Sequence, residues 1–218
     1  MTAQALDRRP IAARNLGASR ALASALARAG VTPNQISLAG MLSGVASGFA
    51  LGLTPLAPGG WWRVLFVCAA ALILLRLLCN MLDGMVAVAR GSCSPLGELY
   101  NEIPDRVSDT ATLVGLGFAL GGLPLLGFAA ALLAMFTAYI RAMGKAAGGP
   151  QQFCGPMSKP QRMFTAAAAA LFCALAPAAW QPELGVPALA LLLVCAGAAL
   201  ACLRRLSRVA SALKGARP

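Results

Sequence analysis

Six long apolar stretches, at 34–54, 61–90, 95–121, 124–146, 160–180 and 185–205, govern what this chain can fold into. Each reaches or approaches the roughly 20 residues that a helix needs to cross a bilayer's hydrocarbon core; the fifth is short and rich in alanine. A segment in lipid has no water to satisfy its backbone, so it spans either as a helix or as part of a closed barrel. Segments of this length select the helix. The chain therefore reads as an all-α integral membrane protein with six transmembrane helices. Its composition agrees: 11% of residues are charged and 59% hydrophobic, against about 25% charged in soluble domains.

The flanks set the topology. Over 10–29, at about 100° per residue, Ile11, Leu16, Leu22 and Leu26 share one side and Arg14, Arg20 and Arg28 the other. That pattern predicts an N-terminal amphipathic helix lying in the membrane interface. Gly30 ends it, and Thr32 caps the next helix with Pro33 in its first turn. The connections at 55–60, 121–124 and 180–185 hold no Lys or Arg. Arg90, Arg141, Lys145, Lys159, Arg162 and the basic tail gather at the opposite side. The positive-inside rule then puts both termini on the cytoplasmic face, and the composition suits a bacterial inner membrane. The net charge of +11 is read as topology and contact with membrane lipids, not as a nucleic-acid surface. Three parts follow: an N-terminal segment 1–33, a six-helix domain 34–205 and a basic surface tail 206–218. The first 30 residues lack the apolar region of an export signal. Arg63 is expected to snorkel to the outer interface; Arg76, mid-span, is expected to face the bundle interior and meet an acid.

Chemistry concentrates in one place. Five of the seven acidic residues are Asp83, Glu98, Glu102, Asp105 and Asp109. An ionisable group at membrane depth costs roughly 2.5–3.5 kcal/mol on insertion scales, so such a cluster implies use: holding a divalent cation, binding a cationic group or moving protons. There is no histidine, which excludes imidazole as base, nucleophile or ligand. The seven cysteines form no CxxC pair, so they suggest neither zinc nor a disulfide framework. The turn 91–94 is short, which makes the second and third helices antiparallel neighbours. At 1.5 Å per residue, Asp83 and Asn101 lie about 10 Å from that turn, and Asn80 and Asp105 about 15 Å. Asn80 and Asp83 share a face by i,i+3 spacing; Asn101, Asp105 and Asp109 share one by i,i+4. Four oxygen-bearing side chains are thus expected to converge across one seam, with Glu98 and Glu102 near. Mg²⁺ and Mn²⁺ prefer such oxygen ligands. Pro104 interrupts the third helix before Asp105. Gly84, Ala87 and Gly97 are small residues that let a backbone or ligand approach.

These residues resemble a family signature. Asn80, Asp83, Gly84, Ala87, Val88, Gly97, Asn101 and Asp105 fall on the pattern D-x-x-D-G-x-x-A-R, eight residues, G-x-x-x-D-x-x-x-D of the CDP-alcohol phosphotransferases. Thr32-Pro33-Asn34, Ile36-Ser37 and Tyr139-Ile140-Arg141 look like that family too. The resemblance implies transfer of a phosphatidyl group from a CDP-linked lipid to an alcohol acceptor, with release of CMP. It implies one or two divalent cations, Mg²⁺ or Mn²⁺, on Asn80, Asp83, Asn101 and Asp105, with Glu102 able to add charge. It gives Asp105 the role of base, Asp83 a catalytic metal role, and the nucleotide border to Gly84, Ala87 and Gly97. Arg141, Lys159 and Arg162 would meet the phosphate of a phosphorylated polyol, or else serve only as topological charge. Homodimers are usual among the proteins it resembles. Three positions depart: the pattern's first and third aspartates are Asn80 and Asn101, and its arginine is Val88. Those departures leave a second reading open, a non-catalytic relative that binds CDP-lipid or phospholipid or supports a partner enzyme. An ion or proton carrier is a third reading, against which the lack of an inverted repeat counts. Asp109, outside the pattern, could be a purely structural acid paired with Arg76 and Arg106.

Overall fold

The structure, a computed structural model, describes residues 17–91 and 95–215. Among these, seven α-helices and two short 3₁₀ turns account for the regular structure, and no strand occurs. They are α1 (Gly17–Arg28), α2 (Pro33–Gly52), α3 (Trp61–Ala89), α4 (Pro95–Phe118), α5 (Pro124–Ala146), α6 (Lys159–Leu175) and α7 (Val186–Gly215).

Local chemistry explains the boundaries. Gly30 takes φ +82°, a left-handed conformation that ends α1 at little cost. Thr32 then caps α2: its Oγ1 accepts from the Gln35 N–H at 3.3 Å, and Gln35 Oε1 accepts from the Thr32 N–H at 2.9 Å. A similar reach, from the Ser158 N–H to Gln161 Oε1 at 2.8 Å, opens α6 beside Pro160. Gly91 (φ +62°) closes α3 at the start of the short turn. α4 runs helical through Pro104 without interruption.

Helices α2, α3, α5 and α7 are long and apolar enough to cross a membrane. The other two depart for visible reasons. α4 carries Glu98, Glu102, Asp105, Arg106 and Asp109, and α6 has only 17 residues. The fifth apolar stretch was expected to reach 180, but the helix stops at Leu175 and a 3₁₀ turn covers Ala178–Trp180. The sixth was expected to end at 205; α7 instead continues to Gly215, drawing in most of the expected tail. Val209 holds that extension, packing with Ile140, Cys202 and Leu213 and pressing on Gly144. Residues 1–16, with Ile11, Arg14 and Leu16 of the expected amphipathic helix, lie outside the described residues, as do Cys93 and the last three residues. In α1, Ala23 is buried, and Leu26 packs with Leu82 and Val86 of α3, while Leu22 and Arg28 are exposed.

Helices α2 to α7 close into a ring. α2 packs on α3 and α4, α4 on α5, α5 on α7, α7 on α6, and α6 back on α3. This corrects one expectation. Despite the short turn between them, α3 and α4 have little direct contact, because α2 lies between them. Close approach makes that possible. A Cβ on Gly44 would sit 2.4 Å from Ser108 Cβ, and one on Gly48 would sit 2.3 Å from the Ala111 carbonyl oxygen. Small residues let helix backbones meet in this way. The core between α3 and α7 is correspondingly rich in alanine, with Phe66, Ile73, Leu113, Leu116 and Met163 filling the larger gaps.

Candidate active site

The interior of the ring carries a chain of ionised side chains, and Arg76 of α3 anchors it. Arg76 is 1% exposed. Its Nη2 donates to Asp109 Oδ1 at 2.5 Å and to Asp105 Oδ1 at 3.3 Å, and its Nε donates to Ser108 Oγ at 3.0 Å. The expectation of an interior Arg76 facing an acid therefore holds, with two acids rather than one. Asp109 is also buried, and Arg162 Nη2 reaches its Oδ2 at 3.4 Å. Asp109 is thus a structural acid, but its second partner is Arg162. Arg106 instead pairs with Glu102 at 3.4 Å.

Asp83 and Asp105 face a common cavity. Ser37, Gly40, Met41, Arg76, Asn80, Asp83 and Asp105 line it, drawn from α2, α3 and α4. Asp83 is 3% exposed. The Ser37 hydroxyl donates to its Oδ2 at 2.9 Å and the Gly84 N–H to its Oδ1 at 2.5 Å. Lys159, from the first turn of α6, enters the same region: its ammonium contacts both Asp105 Oδ2 and Asn80 Oδ1. Asn101 lies one turn before Asp105 on the same helical face. Its Oδ1 is buried and accepts no hydrogen bond among the described residues.

The three cations expected to gather at one acceptor loop are divided. Lys159 sits among the cavity acids. Arg162, 2% exposed, donates to the Met157 carbonyl at 2.8 Å as well as to Asp109. Arg141 stays nearer the surface, donating to Glu102 Oε1 at 2.6 Å with its guanidinium 5.4 Å from the centre of the Phe153 ring. Glu102, with two guanidiniums on Oε1, already has its charge balanced within the protein. Gly84, Ala87 and Gly97 are half-buried at this end of α3 and α4, and Val88 is exposed. Arg90 serves elsewhere: its Nη1 donates to the Gly30 and Val31 carbonyls at 2.8 and 2.9 Å, tying the α1–α2 turn to α3. Arg63 donates to the Ala174 carbonyl at 3.3 Å and stacks over Trp62.

Sequence reasoning passed over several contributors. Ser37 positions Asp83, and its signal was its place just inside the capped start of α2. The four-residue spacing of Gly40, Gly44 and Gly48 marked the helix that separates α3 from α4. Arg205 was read as topological charge, yet it is buried and donates to the Thr137 carbonyl at 2.7 Å and the Cys154 carbonyl at 3.0 Å.

The donor set suits a hard cation. The Asp83 and Asp105 carboxylates and the Asn80 amide line one cavity from α3 and α4, and Asn101 Oδ1, one turn before Asp105 on α4, is a buried acceptor without a hydrogen bond among the described residues. Among the described residues, no group of three or more acidic, cysteine or histidine side chains is placed to hold a metal, so any cation here relies on the amides.

Comparison with known proteins is consistent with this geometry. The chain is 32% identical over 158 residues to a phosphatidylinositol phosphate synthase of Mycobacteroides abscessus, covering 69% of this chain and 67% of that protein. It is 33% identical over 144 residues to an archaetidylinositol phosphate synthase of Aeropyrum pernix, covering 65% of this chain and 67% of the relative. In fold it matches the crystal structure of Mycobacterium tuberculosis phosphatidylinositol phosphate synthase with CDP-DAG bound, at a TM-score of 0.74 and 23% identity over 92% of this chain and 97% of the other. The same enzyme in complex with manganese and citrate gives a TM-score of 0.74 over 92% of each chain. The family model described as CDP-alcohol phosphatidyltransferase matches residues 30–203. With its signature residues in register and its helices in that fold, the chain belongs to the CDP-alcohol phosphatidyltransferase family, membrane transferases of phospholipid synthesis that pass a phosphatidyl group from a CDP-linked lipid to an alcohol.

Proposed function

We propose that the acceptor is a phosphorylated polyol of the inositol phosphate type, and that the hydroxyl attacks the lipid-side phosphorus of a CDP-linked diacylglycerol. The carrying observation is the shared cavity: Asp83 from α3 and Asp105 from α4 face one space, with Asn80 beside them. Asp105 takes the proton from the acceptor hydroxyl. Asp83, held by Ser37 and the Gly84 N–H, keeps a fixed carboxylate toward the diphosphate. Asn80, Asp83, Asn101 and Asp105 would hold a divalent cation, Mg²⁺ or Mn²⁺. When bound, such an ion offsets charge on the diphosphate and the departing CMP. Gly84, Ala87 and Gly97 leave room for the nucleotide. Arg141 is the cation best placed to meet the acceptor phosphate, because its present partner Glu102 lies at 41% side-chain exposure and can yield it. Arg162 acts through Asp109 as a positioning residue.

In this reading all six helices α2–α7 cross a bacterial inner membrane, with the site and both termini on the cytoplasmic side and α1 lying at the interface. Two features support it. Asp105 and Asp109 of α4 meet Arg76, Glu102 pairs with Arg106 and Arg141, and large apolar side chains such as Leu125, Phe128 and Leu132 stand exposed. The protein would work as a homodimer. The test is a panel of acceptors offered to purified protein in nanodiscs with CDP-diacylglycerol and Mg²⁺ or Mn²⁺: inositol phosphate, inositol, glycerol phosphate and serine. CMP release and a new phospholipid with a phosphorylated polyol alone are expected. Preference for an uncharged acceptor, or no release with any acceptor, would overturn the proposal.

A further inference from the structure

The cavity already contains its own cations. Asp83, Asp105 and Asp109 bring three negative charges to the ring interior; Arg76, Lys159 and Arg162 bring three positive ones. The sum is zero before any ion or substrate arrives. A second charge balance is visible atom by atom. Both Asp109 oxygens are met by arginines, and both Asp105 oxygens by Arg76 and Lys159. Lys159 differs from the arginines in its contacts. Its ammonium, a compact point charge on a flexible stem, bridges an amide oxygen of α3 and a carboxylate oxygen of α4. The ammonium thereby places a positive charge against two of the residues that would hold a cation. Asp83, in the same cavity, differs: among the described residues it meets the Ser37 hydroxyl and the Gly84 N–H but no cation within salt-bridge distance, and Asn101 Oδ1 on α4 has no donor.

We propose that Lys159 is a tethered cation standing in for one metal ion of the Asn80, Asp83, Asn101 and Asp105 set, so that the site takes a single divalent cation on the Asp83 side. This rests on the reading that the site holds a divalent cation at all. It gives Asn80 a reason to be an amide. An amide oxygen accepts from the ammonium without adding a charge that would call for a second dication. It also couples the ion to the substrate: a neutral site gains affinity for a dication only when the diphosphate of the CDP-linked lipid supplies negative charge.

Mn²⁺ binding to purified protein in nanodiscs, with and without CDP-diacylglycerol, tests this by electron paramagnetic resonance, independent of turnover. The wild type should bind one Mn²⁺ per chain with the lipid present, with an uncoupled spectrum, and much more weakly without it. Lys159→Met should bind Mn²⁺ about tenfold tighter or more, because a like charge a few ångströms from the ion is gone. Lys159→Arg, which keeps the charge, should resemble the wild type. Lys159→Met with Asn80→Asp should bind two ions with a spin-coupled spectrum. Two Mn²⁺ per wild-type chain would overturn the tethered cation while leaving the transferase reading intact. So would unchanged affinity in Lys159→Met. CDP-diacylglycerol binding with no Mn²⁺ in any variant would overturn both.

Discussion

Replacing Arg76 by methionine removes the hub of the buried charge network and leaves an apolar stem of similar length. Four hydrogen bonds go with it, to the Asp109 carboxylate at 2.5 Å, the Asp105 carboxylate at 3.3 Å, the Asp105 carbonyl at 3.4 Å and the Ser108 hydroxyl at 3.0 Å. Removing one member of a buried ion pair costs about 3–5 kcal/mol, mainly because an uncompensated charge stays behind. Here neither acid is stranded. Asp109 keeps Arg162 at 3.4 Å, and Asp105 keeps Lys159. The loss should therefore fall at the low end, near 3 kcal/mol. The assay is reversible unfolding in mixed detergent and SDS micelles, followed by tryptophan fluorescence, for Arg76→Met, Asp109→Asn and the double variant. Contacting charges should couple: the double variant should lose at least about 1 kcal/mol less than the two singles summed. Additivity within about 0.5 kcal/mol, or a single-variant loss under about 1 kcal/mol, would refute the hub.

Three further outcomes follow from the same geometry. Gly48→Ala drives a Cβ to 2.3 Å from the Ala111 carbonyl oxygen; the overpacked α2–α4 contact should cost about 1–3 kcal/mol in the same unfolding assay. Arg90→Ala frees the Gly30 and Val31 carbonyls, so amide exchange in α1 should speed up while global stability changes by less than about 1 kcal/mol. Arg141→Met should raise KM for a phosphorylated acceptor about ten- to a hundredfold with kcat little changed, the loss of one charge-assisted contact worth about 1.5–3 kcal/mol.

The sequence carried the axial coordinate of this molecule better than the lateral one. Segment lengths, the Thr32 cap and the Gly91 stop fixed where helices begin and end. Rise per residue put Asn80 and Asp105 at one level, and both line the cavity. None of this says which helix stands beside which. The short turn at 91–94 suggested that α3 and α4 touch, but a turn constrains only the ends of two helices. The glycines of α2, which let it lie against both, decide the rest. Lys159 and Arg162 were misjudged for a related reason. Counted along the chain they belong to a loop beside Arg141, yet each is on a long side chain at the start of α6, which packs on α3 and so points them inward. The basic tail was separated from the sixth span because charge marks where lipid ends. It does not mark where a helix ends, and α7 continues with one buried face at Val209.

The central claim is that Asp105 accepts the proton of the acceptor hydroxyl inside a cavity that binds the CDP-linked lipid. Asp105→Asn preserves shape and removes that capacity. Initial rates of CMP release from radiolabelled CDP-diacylglycerol should fall by about 10²–10⁴-fold, while equilibrium binding of the same lipid stays within a few fold of wild type. A variant that releases CMP within tenfold of the wild-type rate would contradict the account.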